Sequence, residues 1–197
     1  MSILRSVSTL TQGERERENK EIKLKLEILR KEKNLEGLIS LENEINLKTV
    51  EFGVLVDLFL SYRAVEAFKN MISLVKKMPK PLQHSIMIQE QLGFALNRIG
   101  KRDDAIKVLE EIIKHHGNSS ETLGILGRVY KDKYKEALEC KDNFMAQGYL
   151  KKAIDTYLEG FESDFRDAYP GINAITLMDI SGDERKDKLL PIVEYAL

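Results

Sequence analysis

Two Leu-Gly pairs lie 34 residues apart in this chain, and that spacing constrains the fold more than any other feature. The pairs are Leu92-Gly93 and Leu126-Gly127. A period of 34 residues is typical of helix–turn–helix repeats, in which small residues at positions 8 and 20 let two antiparallel helices approach closely. When Gly93 is counted as position 8, small and apolar residues fall at positions 11, 15, 20, 24 and 27: Leu96, Gly100, Ala105, Leu109 and Ile112. The spacing therefore predicts repeated helical hairpins.

The period continues on both sides of this hairpin, with two corrections to its length. After Gly127, the residues Ala153, Tyr157 and Gly160 fit a second helix only if about 14 residues are inserted within 133–150, which we expect as a lengthened first helix and a loop. A further unit is predicted around 174–182, and an earlier one, around 54–79, needs a step of about 38 residues. Because one hairpin cannot bury its own apolar face, these units predict an all-α fold, a tetratricopeptide-like right-handed superhelix of antiparallel helix pairs (an α-solenoid).

Breaker residues and a change of pattern near Lys48 divide the chain. We expect a flexible leader over residues 1–13, an N-terminal helical cap over 14–47, and about four repeats over 48–197 that continue beyond residue 197. The cap contains a highly charged helix, 14–33, and a shorter helix after Asn34. Turns are predicted at 78–81, 99–103, 116–120 and 179–183, with Asp103 and either Ser119 or Ser120 as helix N-caps.

Charge and cysteine content exclude several classes of protein. The 31 basic and 32 acidic side chains give a net charge of -1, which argues against nucleic-acid binding through bulk electrostatics. No apolar run approaches the roughly 18 residues of a membrane span. The single cysteine, Cys140, excludes an internal disulfide, and we expect a cytoplasmic protein that binds neither nucleic acid nor membrane.

The first helices of successive repeats line a concave surface, where function normally resides in such folds. Their surface positions carry the candidate partner-binding residues Asn97, Arg98, Arg128, Lys131, Asp132, Tyr169 and Asn173. Guanidinium groups and an amide that converge in a groove suit a carboxylate, so we predict that a protein or peptide partner binds there through an acidic segment. The alternative is a solvated helix face whose charges pair internally, for example Arg128 with Asp132 at i, i+4.

The sequence contains no arrangement of side chains that suits catalysis, a metal or a cofactor. His115 and His116 are adjacent, so on a helix they point about 100° apart, and no carboxylate or thiol has a ligand's spacing to them. Cys140 has no histidine near it in sequence to activate its thiol. Tyr130 and Tyr157 occupy packing positions of the repeat, which predicts that they are core residues. We therefore expect a protein that is not an enzyme and needs no cofactor.

Five short stretches, in this order, are similar to the central TRAFs-binding region of the apoptosis signal-regulating MAP kinase kinase kinases. They are Leu60–Arg63 (LSYR), Phe94–Arg98 (FALNR), Gly127–Asp132 (GRVYKD), Ala153–Phe161 (AIDTYLEGF) and Tyr169–Ala174 (YPGINA). The likeness covers roughly residues 48–182, while residues 1–47 show no recognisable likeness to a family and no kinase domain is present. In those kinases the region is a non-catalytic tetratricopeptide-like module that regulates the kinase and engages adaptors, and related modules occur in bacterial proteins. The resemblance therefore implies a scaffold or regulatory role in signalling.

Two alternatives to partner binding stay open from the sequence. The chain could form homo-oligomers through the charged helix 14–33 and the apolar C-terminal segment. It could also gate an effector or catalytic domain that lies outside this chain.

Overall fold

The computed structural model of the chain describes residues 11–197, and these divide into two compact units, one up to residue 82 and one from residue 83 onward. Helices account for the regular structure throughout the described range. Residues 1–10 of the expected leader lie outside the described residues, whereas residues 12 and 13 already belong to the first helix.

From residue 11 to the end of the first unit there are four helices and most of a short fifth, which ends one residue later: α1 (Gln12–Lys31), α2 (Leu35–Glu44), α3 (Phe52–Ala64), α4 (Phe68–Lys77) and α5 (Lys80–Gln83). Helix α1 begins with a capping box between Thr11 and Glu14. The side chain of Asn34 caps α2 by accepting a hydrogen bond from the Gly37 amide at 2.8 Å. Both helices start where the sequence supplies a capping side chain.

Helix α3 is the centre of the first unit, because α1, α2 and α4 all pack against it. Its largest buried side chains, Phe59 and Tyr62, are fully inaccessible to solvent. The Tyr62 hydroxyl donates to Glu42 of α2 at 2.5 Å, and the same carboxylate accepts from Lys77 of α4 at 2.6 Å. One buried carboxylate thus joins three helices.

The second unit consists of three antiparallel helix pairs. The pairs are α6 (Ile86–Arg98) with α7 (Arg102–His116), α8 (Ser120–Glu139) with α9 (Asn143–Ser163), and α10 (Ala168–Ser181) with α11 (Arg185–Tyr195). Helix α8 also contacts both α6 and α10, so the first helices of the three pairs lie side by side. This is the arrangement that stacked hairpins require.

Glycines allow close approach within all three of these pairs, and two of the glycines are those of the Leu-Gly spacing. A Cβ atom at Gly93 of α6 would lie 2.8 Å from Leu109 of α7, and one at Gly127 of α8 would lie 2.8 Å from the ring of Tyr157 in α9. Both distances are shorter than real Cβ contacts, so only glycine permits this packing. The repeat positions inferred from the Leu-Gly spacing therefore have a direct structural reason.

The insertion within 133–150 does not form a loop. Helix α8 runs to Glu139 and α9 starts at Asn143, so the extra residues lengthen both helices and leave a three-residue turn. Two causes are visible: the stretch contains no proline, and Asp142 caps α9 by accepting a hydrogen bond from the Met145 amide at 3.0 Å. The lengthened first helix was expected; the lengthened second helix was not.

One predicted N-cap is correct and one is wrong. Ser119 caps α8 by accepting a hydrogen bond from the Thr122 amide at 3.1 Å. Helix α7, however, begins at Arg102, which puts Asp103 in its first turn rather than at the cap. The reason is that α6 ends in a glycine turn, with Gly100 at φ +81 and the Lys101 amide bonded to the Leu96 carbonyl, and this turn leads directly into α7.

Candidate functional site

The face formed by α6, α8 and α10 is held together by side-chain hydrogen bonds between neighbouring helices. Asn97 Nδ2 of α6 donates to Asp132 Oδ2 of α8 at 2.8 Å. Lys131 Nζ of α8 donates to Asn173 Oδ1 of α10 at 3.0 Å. The structure therefore brings Asn97, Asp132, Lys131 and Asn173 into one row, which we call the first-helix groove.

Arg128 lies in this groove and binds Asp132 through Nε alone. Nε is 3.1 and 3.3 Å from the two carboxylate oxygens, and 42% of the Arg128 side chain is exposed. Burial by itself lowers the pKa of Arg128, but the Asp132 carboxylate more than offsets this and raises it. Within residues 83–197, the two terminal nitrogens of the guanidinium donate no hydrogen bond. The i, i+4 pair of the alternative interpretation is thus formed, yet it leaves the forked end of Arg128 open.

Lys131 is half-buried among other cations. Burial lowers the pKa of its ammonium group, and Arg128 and Lys135 lower it further. Its hydrogen-bond partner, Asn173, is neutral. This part of the groove therefore concentrates positive charge, and one carboxylate, Asp132, offsets only part of it.

The remaining predicted residues occupy different places. Tyr169 is 48% exposed at the start of α10, and its ring meets Tyr157 edge-on with 6.2 Å between centroids. Its carbonyl accepts a hydrogen bond from Asn173 Nδ2 at 2.9 Å. Arg98 is exposed in the last turn of α6, and Asn97, its neighbour, makes the contact across to α8.

The opposite end of the groove is acidic. Glu90 of α6 is 7% exposed and accepts a hydrogen bond from Thr122 Oγ1 of α8 at 2.6 Å. Burial raises the pKa of Glu90, the Thr122 hydrogen bond opposes that rise, and Glu121 adds to it. Ser120 bonds to Asp167, the residue that caps α10. Charge thus changes sign along α8, from acidic near its N-terminus to basic three turns later.

Two residues of this site were not among the candidates. Lys135 adds a cation one turn beyond Lys131, and the helical spacing of Arg128, Lys131 and Lys135 could have revealed it. Tyr157 was assigned to the core, and it is fully buried there. Its hydroxyl, however, reaches the vicinity of Arg128 and Asp132, which no spacing in the sequence indicates.

The three histidines come together elsewhere, beside α6 and α7. His84, His115 and His116 line a cleft of about 460 Å³ together with Glu111, whose carboxylate lies 2.7 Å from His115 Nε2. Across residues 11–197, no group of three or more possible ligands is arranged to hold a metal ion. Cys140 is exposed in the turn between α8 and α9. No helix in the same range is both long enough and apolar enough to cross a membrane.

Comparison with solved structures identifies the architecture. A thermophilic TPR protein of Thermus thermophilus matches with a TM-score of 0.61 and 14% identity, over 73% of either chain. MamA residues 41 to the end, from Desulfovibrio magneticus RS-1, match with a TM-score of 0.63 and 14% identity, over 94% of this chain and 95% of that one. The predicted all-α, tetratricopeptide-like fold is confirmed.

Sequence comparison confirms the resemblance to the signalling kinases. Mitogen-activated protein kinase kinase kinase 15 of Mus musculus is 29% identical over 147 residues, and mitogen-activated protein kinase kinase kinase 5 of Homo sapiens is 24% identical over 147 residues. Each match covers 71% of this chain. The matched region is only 11% of the mouse kinase and 10% of the human kinase. The matched region is therefore a small part of much longer proteins.

A family model described as Tetratricopeptide Repeats-Sensor matches residues 67–178, which is more than half of the chain and includes helices α4 to α9 in full. The fold, the matched kinase regions and this model agree with one another. This chain belongs to the Tetratricopeptide Repeats-Sensor family.

Proposed function

We propose that this protein is a non-catalytic interaction module that binds an acidic segment of a partner protein in its first-helix groove. Tetratricopeptide-like folds typically bind protein partners, so the fold supports the general role. The observation that carries the specific proposal is the open end of Arg128. A guanidinium on a side chain that is 42% exposed, whose two terminal nitrogens donate no hydrogen bond, is suited to a bidentate bond with a carboxylate.

The internal pair does not compete strongly with a ligand. Arg128 and Asp132 are an i, i+4 pair on one helix, and Arg128 remains substantially exposed. Such pairs contribute only about 0.3–0.5 kcal/mol. A partner carboxylate can therefore bind the forked end of Arg128 while Nε keeps its contact with Asp132, or replace that contact at small cost.

Lys131 supports the same assignment from its environment. Its charge is disfavoured by burial and by two neighbouring cations, and its present partner is a neutral amide. A carboxylate close to Lys131 would relieve this repulsion. An anionic ligand is thus favoured here more than on an ordinary lysine-bearing surface.

The change of charge along α8 gives the bound segment a direction. Ten residues separate Glu121 from Lys131, which corresponds to about 15 Å along a helix. An extended chain covers that distance with about five residues. The acidic end of the segment is expected near Arg128 and Lys131, and a neutral or basic end near Glu90 and Glu121.

Relatives extend this proposal to signalling without transferring an activity. This chain covers about a tenth of each matched kinase, and we propose that it shares a scaffold or regulatory role with that region, in a cytoplasmic protein. Self-association is the competing proposal. It predicts that the mass of the protein in solution increases with concentration, whereas a partner-binding module can remain a monomer.

Peptide selection on the full chain tests the proposal. Selection from a random heptapeptide library should enrich Asp- and Glu-containing sequences, and calorimetry of a selected peptide should show weaker binding at higher salt. The Arg128→Gln variant should lose on the order of tenfold in affinity or more, as expected for a charge-assisted bond.

Arg17→Gln serves as the charge-matched control, because it removes one exposed arginine from helix α1 in the other compact unit. Its affinity should equal that of the wild type. Selected sequences without acidic residues, or equal affinities in both variants, would contradict the proposed function.

A further inference from the structure

Two buried polar atoms at the floor of the first-helix groove have no hydrogen-bond partner. They are Asn97 Oδ1 and the hydroxyl oxygen of Tyr157, and both belong to side chains at least nine-tenths buried. Buried polar groups are almost always satisfied, and each exception requires an explanation. The two atoms come from different helices, α6 and α9. Asn97 donates to Asp132, and the charge of the same carboxylate raises the pKa of Tyr157.

The orientation of Asn97 is fixed by Asp132. Its Nδ2 donates to Asp132 Oδ2 at 2.8 Å, which assigns the nitrogen to the carboxylate and leaves Oδ1 as an unused acceptor. A rotation of the amide by 180° would place oxygen against oxygen. The acceptor is therefore a stable feature of this contact.

The position of Tyr157 is fixed by packing. Its ring lies directly beneath Gly127, where no Cβ could be accommodated, and meets the ring of Tyr169 edge-on. The Tyr169 hydroxyl is close enough to that of Tyr157 to raise the pKa of Tyr157. The contact nevertheless falls outside the distance and angle limits of a hydrogen bond, so the Tyr157 hydroxyl has no partner. Since Gly127 precedes Arg128, the Tyr157 hydroxyl lies under the turn of α8 that carries the open guanidinium.

Neither atom contributes to stability as it stands. Phenylalanine would fill the position of Tyr157 without a buried hydroxyl, and an apolar residue would remove the unused acceptor of Asn97. The pair consists of one acceptor and one group able to donate. One residue of an extended chain offers the complement, because its backbone N–H donates and its C=O accepts on the same side of the chain.

We infer that Asn97 Oδ1 and the Tyr157 hydroxyl form a subsite for the backbone N–H and C=O of one residue of the bound acidic segment, beneath the Arg128–Asp132 pair. The segment's carboxylate draws the Arg128 guanidinium toward itself, and this uncovers the floor. A backbone N–H then donates to Asn97 Oδ1, while the Tyr157 hydroxyl donates to a backbone carbonyl. The inference rests on the proposed function and adds recognition of the main chain to recognition of charge.

Tyr157→Phe is the main test, with Tyr130→Phe as its matched control. Tyr130 is also a buried tyrosine of the α8–α9 pair, but its hydroxyl is already bonded to Glu110 at 3.3 Å. Tyr157→Phe should unfold at the same temperature as the wild type or higher, and should bind a selected acidic heptapeptide on the order of tenfold more weakly. Tyr130→Phe should bind that peptide as the wild type does.

A change in the peptide tests Asn97 separately. Replacing single backbone amides of the heptapeptide by esters removes one N–H at a time, and one position should lose affinity far more than the others. In the Asn97→Ala variant that position should lose no more than the rest, because the bond is already missing.

The outcomes separate this inference from the proposed function. If Arg128→Gln weakens binding while Tyr157→Phe and all ester peptides bind normally, the groove function stands and the amide subsite is overturned. If Tyr157→Phe lowers the unfolding temperature, its hydroxyl is satisfied within the free protein, and the subsite is overturned without reference to any ligand. If no acidic peptide binds saturably, the proposed function fails and the subsite fails with it.

Discussion

Replacing Gly127 by alanine should destabilise the second unit, although alanine is normally the better helix residue. The new Cβ would lie 2.8 Å from two ring atoms of Tyr157 and 2.9 Å from a third, several tenths of an ångström inside the 3.4 Å at which ordinary contact begins. The ring is fully buried, so α8 and α9 must separate. Overpacking of this kind costs about 1–3 kcal/mol, while replacing a mid-helix glycine by alanine returns about 0.5–1 kcal/mol. We expect a net loss of about 1–2 kcal/mol.

Gly148→Ala, in the partner helix α9, should raise the stability of the protein rather than lower it. No atom lies within 4 Å of the position that a Cβ would take at Gly148, in α9, so alanine should stabilise the protein by about 0.5–1 kcal/mol. Urea unfolding followed by circular dichroism measures both changes, with one transition fitted for each compact unit. Only the transition of residues 83–197 should move. A Gly127→Ala protein as stable as the wild type would refute the close packing of α8 on α9.

Three further predictions concern titration and burial. Burial raises the pKa of Glu90 above its ordinary value of 4.5, so the native state holds this proton to higher pH than the unfolded chain, and stability should decline as pH rises above 4.5. Glu90→Gln keeps a partner for Thr122 and should flatten that part of the pH–stability curve. An unchanged curve would contradict the raised pKa of Glu90. Glu42→Ala leaves the buried Tyr62 hydroxyl without a hydrogen-bond partner and should lower the free energy of unfolding in urea by about 2 kcal/mol. A loss below roughly 0.5 kcal/mol would show that the contact joining the three helices is not formed in solution. The pKa of Lys131 is lowered by burial and by its cationic neighbours, so affinity for an acidic peptide should fall as pH rises into the alkaline range. Lys131→Arg should move that fall to higher pH, because arginine keeps its charge. Calorimetric titration at several pH values measures both.

Local signals explain why so much of the fold could be predicted. The 34-residue spacing of Gly93 and Gly127 located two helix–helix contacts, because each glycine meets a large side chain on its partner helix. The turns at Gly100 and Gly182, where glycine has positive φ, could also be predicted from the sequence. Such features depend on a few neighbouring residues, and sequence carries them directly.

The failures involve competition between local signals. Asp103 is a good N-cap residue, but the glycine turn before it starts α7 earlier. The repeat register required about 14 extra residues within 133–150, which we expected as a lengthened first helix and a loop, although Asp142 and an absence of proline favour two longer helices. In both cases the local sequence allowed two structures. The one that formed joins the two neighbouring helices by a short turn.

The candidate groove could be predicted as a set of positions but not as a network. Repeat register placed Asn97, Arg128, Lys131 and Asn173 on first helices, and the structure joins them in a row. The register could not show that Arg128 uses only Nε, nor that the Tyr157 hydroxyl lacks a partner. These details depend on rotamers and on helix spacing, which a periodic pattern does not specify.

Chemical-shift mapping on the full chain tests the central claim most directly. Isotope-labelled protein would be titrated with a selected acidic peptide, and the amide resonances that move would be assigned. The account predicts saturable shifts clustered on α6, α8 and α10 around Asn97, Arg128, Lys131 and Asn173. Saturable shifts confined to α7, α9 or α11 would contradict it, because the acidic segment would then bind outside the groove that the three first helices form.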